Sequence, residues 1–365
     1  MMESWEHAAR NILAHFHFIC RGHLALENWD DPDVQNAVQV DEDAVRSMSR
    51  LKDLLQTSGS RLPLSSLTPS TFPLPNLGSR LREVGKEIHG DTGFMLFRGI
   101  DPFKYTRVQN IMIHAGLACH VGEKRAMPGA AGGDNAVLHH ITDISPSASS
   151  EYHGPPNTLG EIPFHTDLGD IVSLYTLARS QTGGSFYLAK AADVYEKIMT
   201  FCPELAQTLL NDWILVDPST GGASTPRPLV FESNGQVVVN CSRALITGTA
   251  SRPRPADIPA ITQTQQQAID ALHYFGRACA VKLNFEPGDL LFFNNLSMLH
   301  ARDGFTDDQS QGRKRHILRI ILRDESFAWD VPACLRQTLD GLYDHEPTDE
   351  AFPAKEELFS YAVSH

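Results

Sequence analysis

The chain of 365 residues has no surplus of positive charge: 31 Lys and Arg stand against 44 Asp and Glu, a net charge of −13. Nucleic-acid binders carry a basic stripe or surplus, and anionic membrane surfaces attract basic segments, so neither partner is expected. Closely spaced cysteines are missing as well. Cys20, Cys119, Cys202, Cys241, Cys279 and Cys334 are scattered, with no C-x-x-C. That excludes a zinc finger or disulfide framework and fits thiols in a reducing compartment. No run of about 18 apolar residues offers a membrane span. The opening residues Met1 to Glu6 lack a basic region followed by an apolar run, so no secretory leader is expected. The expected location is cytoplasmic. With 26 Gly and 22 Pro, collagen-like and broadly disordered readings fail. A strand followed by G-x-G-x-x-G, a phosphate loop and a G-x-S-x-G elbow are all absent, which removes three common enzyme plans.

What is present divides the chain in three. Residues 1–76 read as a helical extension and an irregular crossing segment. Val45, Met48, Leu51, Leu54 and Leu55 fall at helical spacing, and 57–76 is rich in Ser, Thr, Pro and Leu. Residues 77–330 form the main domain, and 331–365 a helical tail packed on it. Short β-branched or aromatic stretches at 94–99, 137–141, 171–177, 213–216, 236–240, 281–285, 290–293 and 316–322 are predicted strands. Helical interruptions fall at 193–211, broken at Pro203, and at 262–280. Many short strands with long excursions favour a mainly β, α+β fold with helical insertions. The expected core is a distorted double-stranded β-helix, or jelly roll, of cupin-like type.

Three segments carry candidate chemistry. In Phe164-His165-Thr166-Asp167, an extended strand would place His165 and Asp167 on one face. Alone, H-x-D is weak; a turn His beside a capping Asp is the commoner outcome. Further on, Pro287-Gly288-Asp289-Leu290-Leu291-Phe292-Phe293-Asn294-Asn295 leads to Leu299-His300-Ala301-Arg302. Two histidines and one carboxylate suit a facial triad with open positions on non-haem iron. In Arg315-His316-Ile317-Leu318-Arg319, the two arginines share a strand face. A buried guanidinium needs a partner and forks onto a carboxylate; the bland alternative is an edge strand with solvated arginines. His139 and His140 face opposite ways on a strand, so no joint metal role is assigned to them. Arg252 and Arg254 lie on a Pro-rich loop that would be a lid or plain surface.

Together, the H-x-D, the P-G-D-L-x-F-F-N-N lead into L-H-A-R, the R-x-x-x-R and Gly183-Gly184 resemble the taurine dioxygenase-like family of Fe(II)/2-oxoglutarate-dependent dioxygenases. The resemblance runs from about Phe94 to Asp324. It implies a jelly-roll core, Fe(II) held by His165, Asp167 and His300, and 2-oxoglutarate and O₂ as co-substrates. It implies an arginine on the distal carboxylate of 2-oxoglutarate, Arg315 or neighbouring Arg313, of which Arg315 is chosen because it sits in the strand pattern, and Arg319 at the second arginine position of the co-substrate and substrate site. The family's hydroxyl two residues after Gly-Gly falls here on Phe186, so Ser185 is the candidate replacement. The activity implied is oxidative decarboxylation of 2-oxoglutarate coupled to hydroxylation, desaturation or cyclisation of a small acid or amino acid. Tyr152, Asn157 and Glu161, before the H-x-D, are candidate substrate contacts. A cupin-like metal hydrolase or isomerase, or a non-catalytic jelly-roll binding protein, are the competing classes. A homo-oligomer is compatible with the chain.

Overall fold

The computed structural model describes residues 64–129, 134–144, 155–217, 220–249, 252–308 and 314–355. The helix expected near 41–55 lies outside them. Two antiparallel sheets form the frame. The larger contains β1 (Phe94–Phe97), β2 (Lys124–Arg125), β3 (Leu138–Ile141), β5 (Ile171–Ala178), β11 (Leu290–Asn294) and β14 (His316–Arg323). Its order is β1-β11-β5-β14-β2, with β3 also paired to β14. The smaller runs β10 (Val281–Leu283), β7 (Phe186–Lys190), β12 (Met298–Arg302), β4 (Ile162–His165). Two ribbons complete the strands: β6 (Thr182–Gly183) with β13 (Phe305–Thr306), and β8 (Val230–Ser233) with β9 (Gln236–Val239).

Strand alternation builds the layers. On β14, Ile317 and Ile321 meet Phe186, Leu188 and Met298 of the smaller sheet in a shared core. Leu318, Ile320 and Leu322 face the other way, onto α1 (Gly78–His89) and α2 (Arg107–Ala118). On the smaller sheet, Tyr187, Ala189, Leu299 and Ala301 face a third core. It is built from α3 (Ala191–Phe201), α4 (Pro203–Leu210) and α6 (Gln263–Cys279). A short α5 (Arg243–Thr247) precedes α6, and α7 (Ala333–Gly341) inserts Leu335 and Leu339 into the inter-sheet core. The crossing segment packs as its leucines suggest: Leu67, Phe72 and Leu74 are buried with α1 and α2.

Two expectations need correction. Residues 213–216 form no strand; Trp213 and Val216 take part only in isolated bridges to Arg227 and Ala223. Trp213 is instead a fully buried anchor whose Nε1 donates to Thr208 O at 3.0 Å. Helix α2 is absent from the sequence reading, although Thr106 and Gln109 form a full capping box at its start. That T-x-x-Q signal could have located it.

Burial on both sheet faces has a pH consequence. His114 of α2 is fully enclosed, with Nε2 2.8 Å from Ser173 Oγ. Desolvation pushes its pKa down to about 3. Between that value and the ordinary 6.5, the unfolded chain binds a proton that the folded chain refuses, so stability falls with falling pH. Urea midpoints of metal-free protein should drop from pH 7 to pH 5, and His114→Gln should flatten that slope.

Candidate metal centre

The site lies between the sheets, where β4 pairs with β12 and His165 sits directly opposite His300. Their ring centroids are 4.1 Å apart. Helix α6 sets β4 in place: a Cβ at Gly276 would stand 2.7 Å from the Phe164 ring, so only glycine allows this approach. Strand β4 ends at His165, which corrects the pleat argument: Asp167 follows in a loop. Asn295 holds that loop. Its Oδ1 accepts from Asp167 N at 2.8 Å, and its Nδ2 donates to Asp167 O at 2.8 Å and Gly169 O at 2.7 Å. Thr166 is tied to Cys241 by N–H···O at 2.8 Å and by its Oγ1 accepting from Cys241 N at 3.0 Å.

The result is a cluster. Asp167 Oδ1 lies 3.9 Å from His165 Nε2, and Asp167 Oδ2 lies 3.9 Å from His300 Nε2. One ligand atom from each of the three falls within 4.8 Å of the others, the one such three-residue group among the described residues. Asn295 carries no chemistry itself and stands out in the sequence only as the last residue of the P-G-D-L-x-F-F-N-N motif. Asn295→Ala strips a buried loop of three hydrogen bonds. It should cost about 2–4 kcal/mol of stability and weaken metal binding about 10- to 100-fold, read by denaturant titration and metal-competition assay.

Protonation suits metal ligation, which needs neutral imidazoles and an ionised carboxylate. Burial lowers the pKa of His165 and, further, of His300, where His165 adds to the effect. His165 Nδ1 donates to Pro163 O at 2.9 Å, which leaves the Nε2 lone pair for a metal. Burial alone would raise Asp167, but Arg319, His300 and His165 outweigh it and hold its carboxyl at about 2. Phe186 stacks on His300 at 5.6 Å and Phe293 lies 5.1 Å away, so one side of the cluster is dry.

The two arginines of β14's approach are buried, 4% exposed for Arg315 and 3% for Arg319; the solvated-edge alternative therefore fails. Arg319 Nη1 donates to Asp167 Oδ2 at 2.8 Å. Arg315 lies against Gly184, where a Cβ would come within 3.4 Å of its Cδ. Gly183 and Gly184 both have positive φ, 71° and 72°, a conformation that favours glycine. Arg315 Nη1 is buried with no hydrogen-bond partner among the described residues. Burial, and then repulsion from Arg302, push its pKa down to about 9. Such a guanidinium fits the carboxylate of a bound ligand.

Other candidates fall elsewhere. Ser185 is not beside Arg315: its Oγ donates to Asn284 Oδ1 at 3.2 Å, on the face of Tyr187, while Phe186 points inward. Asn157 is buried and donates to His140 O and Thr142 O at 3.0 and 3.1 Å, so its amide ties down β3. Glu161 is exposed, 3.7 Å from His273 Nε2, and lines the cavity described next. Tyr152 and Arg313 lie outside the described residues. Arg302, quoted only as part of a motif, donates to the carbonyls of Thr158 at 2.8 Å and of Gly160, and pins the segment before β4. His140 turns from the site toward His316, at 2.7 Å.

A cavity of about 340 Å³ adjoins the cluster, lined by His165 and Asp167 together with Leu168, Val216, Arg227 and residues 240–245, among others. That volume is in the small-molecule range. Two imidazoles and one carboxylate beside such a space are the donor set of a non-haem iron oxygenase. Comparison with known proteins agrees. Residues 60–321 match the family model described as "Taurine catabolism dioxygenase TauD, TfdA family". The chain is 32% identical over 303 residues to the taurine hydroxylase-like protein SAT17 of Stachybotrys chartarum, covering 81% of this chain and 78% of that protein. It is 21% identical to FR-33289 synthase of Streptomyces rubellomurinus, over 82% and 89% of the two chains. Among solved structures, an asparagine oxygenase with Fe(II), hydroxyasparagine and succinate superposes with a TM-score of 0.59 at 16% identity. That match covers 80% of this chain and 92% of the other. The chain belongs to the TauD/TfdA family and is an Fe(II)/2-oxoglutarate-dependent dioxygenase.

Proposed function

We propose that His165, Asp167 and His300 hold Fe(II), and that Arg315 takes the distal carboxylate of 2-oxoglutarate. The chain then oxidises a C–H bond of a small molecule seated in the adjoining cavity. The observation that carries this reading is the three-donor cluster, two of whose members, His165 and Asp167, line the cavity. Iron, 2-oxoglutarate and O₂ supply the oxidation when bound, with succinate and CO₂ as co-products. The protein's share is positional. His165 offers Nε2 because Pro163 takes its other N–H. Arg319 steadies the second oxygen of Asp167. Phe186 and Phe293 keep water from one side of His300.

The same reading takes the two sheets as the distorted jelly roll of this family, with 77–330 as its catalytic unit and the cytosol as its place of work. The prime substrate is a small polar metabolite. Solved structures of similar fold hold hydroxyasparagine and hydroxyarginine, and amino-acid-like acids fit the cavity's size. A hydrolase or isomerase would leave the buried Arg315 without an anion to bind. The test is succinate formation from 2-oxoglutarate in air with added Fe(II). Slow uncoupled succinate is expected from the wild type and none from His165→Ala. Iron-loaded protein that makes no succinate with any small acid or amino acid tested would contradict the proposal.

A further inference from the structure

We propose that the prime substrate carries a carboxylate and that Arg227, on the cavity wall, receives it, in place of Arg319. The inference rests on the metal and co-substrate reading above. Arg227 lines the cavity and is held by paired backbone hydrogen bonds to Trp213, at 2.8 and 3.0 Å. Among the described residues its guanidinium meets neutral acceptors: Nη1 donates to Pro228 O at 2.9 Å and Asn240 O at 3.3 Å, and Nη2 to Asn240 Oδ1. Asn240 thus occupies the end of the fork. The Nε–H and the second Nη2–H remain, and that edge is the one a carboxylate meets side-on with two hydrogen bonds. No carboxylate bonds it among the described residues.

Two other arginines line the cavity, Arg243 and Arg252, the latter on a loop where its backbone N–H donates to Thr249 Oγ1 at 3.0 Å. Arg243 pairs with Asp270, and Arg319 donates to Asp167 and does not line the cavity. Besides Asp167, the one carboxylate on the lining is Glu161, 57% exposed and turned to His273. A chain of net charge −13 has therefore left this wall cationic. Val216, Leu168 and Leu245 supply apolar surface for the rest of the molecule.

The test uses two probes of one shape, N-acetyl-L-leucine and its neutral amide. Equilibrium dialysis against the full chain is run under argon, with and without Fe(II) and 2-oxoglutarate. The acid is expected to bind about tenfold more tightly than the amide, the difference that one charge-assisted contact supplies. Arg227→Gln should cut the ratio below about threefold while amide binding persists. Arg227→Lys should keep part of the preference, and Arg319→Gln should leave the ratio in place while iron binding weakens. If Arg227→Gln loses both probes through misfolding, the wild-type, Lys and Arg319 ratios decide. Equal binding of the probes, no binding of either, or a ratio that follows Arg319 would overturn the proposal. Failure of the metal reading would show separately, as wild-type protein that retains no iron.

Discussion

His300→Ala protein is expected to retain no iron through anaerobic desalting, and its turnover should fall by on the order of a thousandfold or more. Changing residues that merely orient a ligand costs about 10- to 100-fold in affinity, so removing one of three ligands costs more. His300 is the better choice for this test than Asp167. Asp167→Ala would also leave Arg319 buried without its carboxylate partner, a loss of about 3–5 kcal/mol that could unfold the chain. The His300 imidazole has no hydrogen-bond partner on Nδ1 among the described residues, so its removal breaks no side-chain hydrogen bond there. Its rings contacts with Phe186 and Phe293 are lost, a modest cost. Iron content by metal analysis and oxygen uptake with 2-oxoglutarate read the two effects. A variant that kept stoichiometric iron would place the metal elsewhere.

Arg315→Gln produces the second large effect, and in a different quantity. The apparent Kd for 2-oxoglutarate should rise about 100-fold, the worth of a buried bidentate charge-assisted contact of about 3 kcal/mol. Iron affinity should stay within about twofold, because Arg315 makes no hydrogen bond to His165, Asp167 or His300. Stability without co-substrate should be unchanged or higher. Arg315 is buried, is repelled by Arg302, and has Nη1 without a partner among the described residues. Asp307 attracts it but bonds only its backbone N–H, at 3.0 Å, and removing a buried charge whose desolvation outweighs its attraction is neutral or stabilising. Thermal melts with and without 2-oxoglutarate check the sign: the co-substrate should raise the Tm of wild type by mass action and not that of the variant. Protein whose 2-oxoglutarate affinity ignored this change would take Arg315 out of the site.

The parts of the site that could be read in the sequence were those whose residue type is itself the chemistry. His165, Asp167 and His300 stand out because imidazoles and carboxylates are ligands wherever they meet, and Arg315 and Arg319 because arginine is rare inside a strand. What sequence could not show was orientation. Asp167 is aimed by Asn295, which is 128 residues away. Ser185 was chosen as the hydroxyl next to the family's position, which falls on Phe186; which way the strand faces was hidden because both faces of the smaller sheet are apolar-lined, Phe186 and Leu188 entering one core and Tyr187 and Ala189 another. Alternation marks an inner face only when the outer face is wet. The fold was legible for the same reason in reverse. The continuous apolar runs of β5, β11 and β14 could be recognised, whereas β7, as long as β11 but ending in Lys190 and running straight into α3, was passed over. Arg227 was invisible, since its meaning depends on Asn240 occupying one end of its fork.

The central claim is that three side chains hold iron and a fourth holds the co-substrate on it. Anaerobic absorption spectra of metal-free protein, taken after Fe(II) and then 2-oxoglutarate, test it most directly. A visible metal-to-ligand charge-transfer band should grow in wild type, be absent in His165→Ala, and need far more 2-oxoglutarate in Arg315→Gln. Stoichiometric bound iron with no band at any 2-oxoglutarate concentration would contradict the account.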